Sequence, residues 1–217
     1  MRQRFRASIL AVILAVTAAA GWGFVTPASA AAPEVSPDNK GRWLEPPKQL
    51  PRAQHGDPSK NLDFLFGALK AAPDDETAKA IEKRIWALWM VSRSDTVNLL
   101  MARVHKAVEA KDVDLAVTLL DAIVKIRPDY IEGWNRRATI YYMKKDYGRA
   151  LADIRQVLRR EPRHFGALSG LGLILQDIGD DKQALEVYRR ALAVYPRMER
   201  IPEVVKKLKL EVEGRDI

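Results

Sequence analysis

Apolar residues follow two superimposed periods through the second half of the chain. Within short segments they fall three and four residues apart, as in Leu100, Val104 and Ala107 or Leu120 and Ile123. Between segments the same positions return every 34 residues. Counted from Val97, Ile131 and Phe165, position 4 reads Leu100, Trp134, Leu168, and position 8 reads Val104, Ala138, Gly172. Position 11 reads Ala107, Tyr141, Leu175, and position 20 is Ala116, Ala150, Ala184. Position 24 is Leu120, Ile154, Tyr188, position 27 is Ile123, Val157, Ala191, and Pro128, Pro162 and Pro196 close the units at position 32. The short spacing predicts helices with one buried face. The long period predicts an array of antiparallel helix pairs, each burying its face only against its neighbours.

Local chemistry agrees with that division. An aspartate stands at position 16 of each unit (Asp112, Asp146, Asp180), where its carboxylate can accept from the free N–H groups opening the second helix. Gly179 is placed to end the preceding helix in a left-handed conformation. Small residues at positions 8 and 20 let the two helices approach closely. Asp95 or Thr96 is expected to cap the first helix of the array.

These positions strongly resemble the tetratricopeptide repeat family, with its W…G…Y…A…F…A…P pattern, and bacterial members in particular. The resemblance implies an all-α, right-handed solenoid with units at 97–130, 131–164 and 165–198. It also implies a binding scaffold whose first helices line a concave face through positions 2, 5, 9 and 12. Mapped onto this chain, those positions give Asn98, Met101, His105 and Val108, then Glu132, Asn135, Thr139 and Tyr142, then Gly166, Ser169, Leu173 and Gln176, with Arg136 at the edge. Such a mixture of amide, hydroxyl, aromatic and guanidinium groups suits an extended peptide. Chaperone-binding members hold a terminal carboxylate with lysine and asparagine. Position 5 here is Met101, Asn135 and Ser169, so that ligand is not expected. A bacterial variant of the repeat pairs arginine at position 7 with aspartate at position 23, which predicts an ion pair between Arg137 and Asp153.

The flanks read differently. Leu62, Leu65, Phe66 and Leu69 predict a helix ending before Pro73, and Ile81, Ile85, Leu88 and Trp89 a second, capped by Asp74 or Asp75. This pair, residues 61–96, lacks the repeat's alanine and proline and is expected to be a degenerate repeat or an N-terminal cap. Residues 199–217 form a last helix with Pro202 in its first turn and Ile201, Val205, Leu208 and Val212 on one stripe, followed by a loose tail. Residues 31–60 hold six prolines and few periodic apolar residues, a tether that buries too little to order itself. Trp43 and Leu44 within it are either a short docking motif or tether residues.

Residues 1–30 change the compartment. Arg2, Arg4 and Arg6, the apolar run from Ile9 to Ala20, and Ala28-Ser29-Ala30 form a secretory signal pattern. Cleavage is expected after Ala30, with Ala32 fitting the same rule; an uncleaved anchor is the alternative. Together with the resemblance to bacterial members, this implies the periplasm of a double-membraned bacterium. The formal charge of +8 falls to +5 once this leader, with three arginines and no acids, is removed. There is no cysteine, so helix packing alone must stabilise the fold in an oxidising compartment.

Catalytic signals are missing from the sequence. No nucleophile elbow, phosphate loop or cysteine nucleophile is present, and His55, His105 and His164 form no metal-ligand spacing. Glu132 and His105 could approach across adjacent helices, but such a pair without a nucleophile is a weak enzyme signal. Tyr141, Tyr142, Lys144, Lys145 and Tyr147 interleave aromatic and basic groups, yet they read as core and turn rather than a nucleic-acid surface. The sequence therefore predicts no enzyme, no cofactor, no metal and no nucleic acid. Its partner is a protein or peptide of the cell envelope held in the concave face. A structural subunit docking through its convex or end surface is the second reading.

Overall fold

The computed structural model describes residues 58–214, with side chains from 61 to 214. The signal pattern at 1–30, the tether before Pro58 with His55, Trp43 and Leu44, and residues 215–217 lie outside the described residues. Nine helices and no strand are found among the described residues. They are α1 (Pro58–Lys70), α2 (Asp75–Trp89), α3 (Asp95–Glu109), α4 (Val113–Ile126) and α5 (Ile131–Met143), then α6 (Tyr147–Arg160), α7 (Phe165–Asp177), α8 (Asp181–Val194) and α9 (Ile201–Val212). Helices α3 to α8 are the three predicted pairs, and the fold is an all-α helical solenoid. None of the described helices is long and apolar enough to cross a membrane.

Each pair is punctuated in the same way. Lys111, Lys145 and Gly179 occupy position 15 with φ of 58°, 59° and 88°. This left-handed residue lets the next N–H reach back five residues: Asp112 to Ala107 O, Asp146 to Tyr141 O and Asp180 to Leu175 O. The same three aspartates then cap the second helices, accepting from Leu115, Arg149 and Gln183 N–H at 3.0–3.1 Å. The first helix of the array departs from expectation. Ser94, not Asp95 or Thr96, is its cap, accepting from the Val97 N–H.

Small residues set the distance between paired helices. Ala116, Ala150 and Ala184 are fully buried. In the third pair the approach is tightest, since a Cβ on Gly172 would lie 2.5 Å from the Tyr188 ring. Arg137 locks the second pair. Its Nε and Nη2 donate to the two carboxylate oxygens of Asp153, both at 2.8 Å. Its Nη1 donates to Asp121 of the preceding unit at 2.7 Å, a partner the repeat pattern does not announce.

The hairpin α1–α2 does not extend the array at its N-terminal end. Its buried residues Leu65, Phe66, Leu69, Ala78, Ile85 and Trp89 join one cluster with Phe165, Leu168, Tyr188, Tyr195 and Ile201 of the third unit and α9. The first unit keeps a separate cluster around Val97, Val104, Leu120 and Ile123. An end repeat would stack on α3. Here the apolar stripe of α2, broadened by Trp86, matches the aromatic surface of the third unit instead. Helix α9 packs on α8 as the expected C-terminal cover, with Ile201, Val204 and Leu208 buried and Val205 and Val212 half-buried.

Candidate functional site: a concave face partly filled by the chain itself

The first helices of the units present positions 2, 5, 9 and 12 in two rows, and α2 treats the rows differently. The row nearest the helix N-termini, positions 2 and 5, is buried in the second and third units. Gly166 lies beneath Trp86, whose Cη2 would be 2.9 Å from a Cβ added there. Glu132, Asn135 and Ser169 are buried, and Ser169 Oγ donates to Phe165 O. In the first unit Met101 is buried and Asn98 is exposed, accepting from Ser92 Oγ at 2.6 Å.

Helix α2 packs on this row at Gly166 and its flanking residues His164 and Phe165. Trp89 stacks on His164 with centroids 4.0 Å apart and planes 8° from parallel, and Trp86 meets His164 and Phe165 edge-on. His164 caps α7: its Nδ1 accepts from the Ala167 N–H, so its proton sits on Nε2, which donates to Glu132 Oε1 at 2.8 Å. Burial pushes the Glu132 carboxyl up, but the hydrogen bond from His164, with the Arg136 charge and the Asn135 amide, more than offsets it and holds it below the ordinary range. Asn135 Nδ2 donates to the other oxygen of Glu132 at 3.3 Å. Glu132 therefore meets His164, while His105 is exposed and pairs with Glu109 at 3.2 Å; the expected approach of Glu132 to His105 does not occur. Repeat registers alone could not show that His164, a residue at the end of a unit, returns to the face.

The rim of the hairpin is polar. Tyr195 Oη donates to Glu82 Oε2 at 3.0 Å and Trp86 Nε1 to Glu82 Oε1 at 3.2 Å. Arg197 donates to the carbonyls of Ala72 and Pro73 and pairs with Asp75 at 2.9 Å. Arg163 pairs with Asp63 at 2.6 Å and lies over the Phe66 ring. At the other end of α2, Tyr130 Oη and Arg127 Nη1 donate to the carbonyls of Met90 and Ser92. Arg136 Nη2 contacts Met90 Sδ at 3.1 Å.

The second row remains more open. His105 is exposed, and Val108, Thr139, Tyr142 and Gln176 are half-buried. Leu173 is buried at the floor of an apolar cavity lined by Ala138, Thr139, Tyr142, Gly166 and Gly170. Gln176 accepts from Tyr188 Oη at 2.8 Å. The face can thus offer hydroxyl, amide and aromatic edges beside an apolar hollow. No group of three or more metal-ligating side chains gathers among the described residues.

Comparison with known proteins agrees with this architecture. The family model described as tetratricopeptide repeat matches residues 135–199. A TPR repeat-containing protein of Rhizobium etli is 41% identical over 157 residues, 72% of this chain and 77% of that protein. The first TPR of Spaghetti (RPAP3), bound to an HSP90 peptide, superposes with a TM-score of 0.52 at 18% identity, covering 55% of this chain and 95% of that one. The Sgt2 TPR domain from Aspergillus fumigatus superposes with a TM-score of 0.51 at 21% identity, covering 55% and 81%. At these identities the two structures show a shared fold.

Proposed function

We infer a function from kinship: the chain belongs to the tetratricopeptide repeat family. Domains of this family generally mediate protein–protein interaction, and this chain is an interaction scaffold rather than an enzyme. In our reading it works on the periplasmic side of a bacterial envelope, and the leader sequence at residues 1–30 supports that placement. There it holds a segment of an envelope protein along the open row of its concave face. The observation that carries this reading is the apolar hollow between α5 and α7. Thr139 and Tyr142 of α5 line it and are half-exposed. A hollow flanked by a few polar groups is the usual form of a peptide or small-ligand site. The HSP90 peptide held by the Spaghetti domain is a precedent for such a ligand, though Asn135, the position-5 residue of the second unit, is buried here.

A second reading, a structural subunit docked through the outer helices, is favoured by α6. Its only carboxylate, Asp153, is buried against Arg137, while Arg149, Arg155, Arg159 and Arg160 are exposed. Photo-crosslinking in the native bacterium separates the two. A partner trapped by a benzophenone at Thr139 but not at Arg155 supports the concave reading, and the reverse pattern replaces it with the outer-face reading. Fractionation with N-terminal sequencing checks export: a periplasmic chain beginning at residue 31 is expected.

A further inference from the structure

Helix α2 shows what the covered row of the concave face takes up: an amphipathic helix, not an extended strand. Its inner face carries Ala78, Ile81, Glu82, Ile85, Trp86 and Trp89, while Lys79, Ala80, Lys83, Arg84 and Ala87 face outward. The fit is specific. Gly166 leaves the space that Trp86 fills, and His164 supplies a flat surface for Trp89. Tyr195 supplies the hydroxyl for Glu82.

The seat is nevertheless incompletely satisfied. The indole N–H of Trp89 is buried without a hydrogen-bond partner, and Nε of Arg136 faces Glu132 Oε2 at 4.0 Å, beyond hydrogen-bond reach. Buried groups of this kind are uncommon in settled cores and call for an explanation. Burial also pushes the Glu82 carboxyl above its ordinary value despite the hydrogen bonds from Tyr195 and Trp86. The short joint between α2 and α3 holds Arg93 at φ 54°, a conformation that β-carbon-bearing residues adopt at a cost. Beyond the joint, the hairpin shares no cluster with the first unit.

The geometry points to α1–α2 as a removable occupant of the concave face, held in cis, over a site that accepts a partner's amphipathic helix bearing two aromatic residues three positions apart and a carboxylate one turn earlier. This rests on the concave-face reading and adds to it the class of partner and a competition that regulates access. In the resting protein the hairpin covers the row at Gly166 and His164. A matching helix that pairs Arg136 Nε displaces it, and the Trp89 indole N–H returns to water. The hairpin then swings on residues 90–94.

Hydrogen exchange of the full-length protein tests the removable part directly. Amides of α1 and α2 are expected to exchange together, at least roughly tenfold faster than those of α7 and α8. Equal protection in all four helices overturns the proposal. The site itself is tested with a labelled peptide of residues 74–92 added to the full-length Trp86→Ala/Trp89→Ala variant, whose groove side is unchanged. The peptide is expected to bind this variant at least about tenfold more tightly than wild type. Adding Gly166→Leu should remove that binding. Equal binding to wild type and variant, or binding that survives Gly166→Leu, overturns it. If the double variant does not fold, the exchange experiment on wild type decides alone. Failure of either sinks the removable hairpin only, because crosslinking at Thr139 tests the open row independently.

Discussion

At the scale of single residues, Arg137 ties two repeat units together. It joins Asp153 within its own unit and Asp121 in the unit before. Asp153 is almost fully buried, so removing only the arginine strands a carboxylate where water cannot reach it. Arg137→Ala is expected to lower stability by about 3–5 kcal/mol, and Arg137→Ala/Asp153→Ala by at least ~1 kcal/mol less. Urea unfolding of the two variants measures the difference, and equal losses would show that the pair does not act as a unit. Lys145 carries the opposite defect, a side chain in left-handed backbone at φ 59° where the third unit has Gly179. Relief of about 1–2 kcal/mol of strain outweighs the added chain entropy of glycine, so Lys145→Gly should stabilise by up to ~1 kcal/mol. A lower urea midpoint would contradict this. The Asp153 partner of Arg137 follows from the repeat, since positions 7 and 23 face one another in every unit. Asp121 depends on how neighbouring units are rotated, which no single unit encodes.

At the scale of helices, glycines with the same composition have opposite meanings. Gly172 faces the Tyr188 ring at a distance no Cβ tolerates, whereas a Cβ on Gly170 would meet only Ile154 at 3.7 Å, an ordinary contact. Alanine improves helix propensity at both by about 1 kcal/mol. At Gly170 that gain should appear as a higher melting temperature. At Gly172 overpacking against a fully buried ring reverses it, with a net loss of about 1–3 kcal/mol. Calorimetry of the two single variants is the check; a stable Gly172→Ala protein would mean α7 and α8 can part freely. Helices α1 to α9 were legible because their apolar spacing, caps and prolines are local signals. The docking of α1–α2 was not. The apolar stripe of α2 says only that one face must be buried, and stacking on α3 satisfies that demand as well as folding across α7. The choice lies in complementarity between Trp86 and Gly166, residues 80 positions apart whose match has no period. That also explains why Gly166 looks available in sequence and is buried in the structure.

At the scale of the whole molecule, Glu82 and Tyr195 connect the two ends of the described chain. The Glu82 carboxyl is pushed above its ordinary value of 4.5, chiefly by burial, with Glu199 adding to the effect and Tyr195, Trp86 and Lys79 opposing it. A carboxyl that holds its proton more tightly when folded contributes stability that is fully present below its unfolded value. That contribution is lost as pH rises through the raised folded value. As pH falls from 7 to 4.5, the melting temperature of wild type should therefore rise relative to that of Glu82→Gln, which has no proton to gain. Parallel melting curves across that window would remove Glu82 as the cause. The variant comparison cancels contributions common to both proteins.

The route of the polypeptide through space has a consequence for synthesis. Ala72 meets Arg197 across 125 residues, and Glu82 meets Tyr195 across 113. A ribosome adding roughly 5–20 residues per second needs about 6–25 s between making the hairpin and making the surface that covers it. Throughout that interval Trp86, Trp89 and Phe66 have no native place to go, while the first and second units can already close locally. The described helices thus settle in an order opposite to their synthesis: the pair made first is the last to settle. Any factor that shields aromatic side chains during those seconds acts on this hairpin before it acts on the repeats.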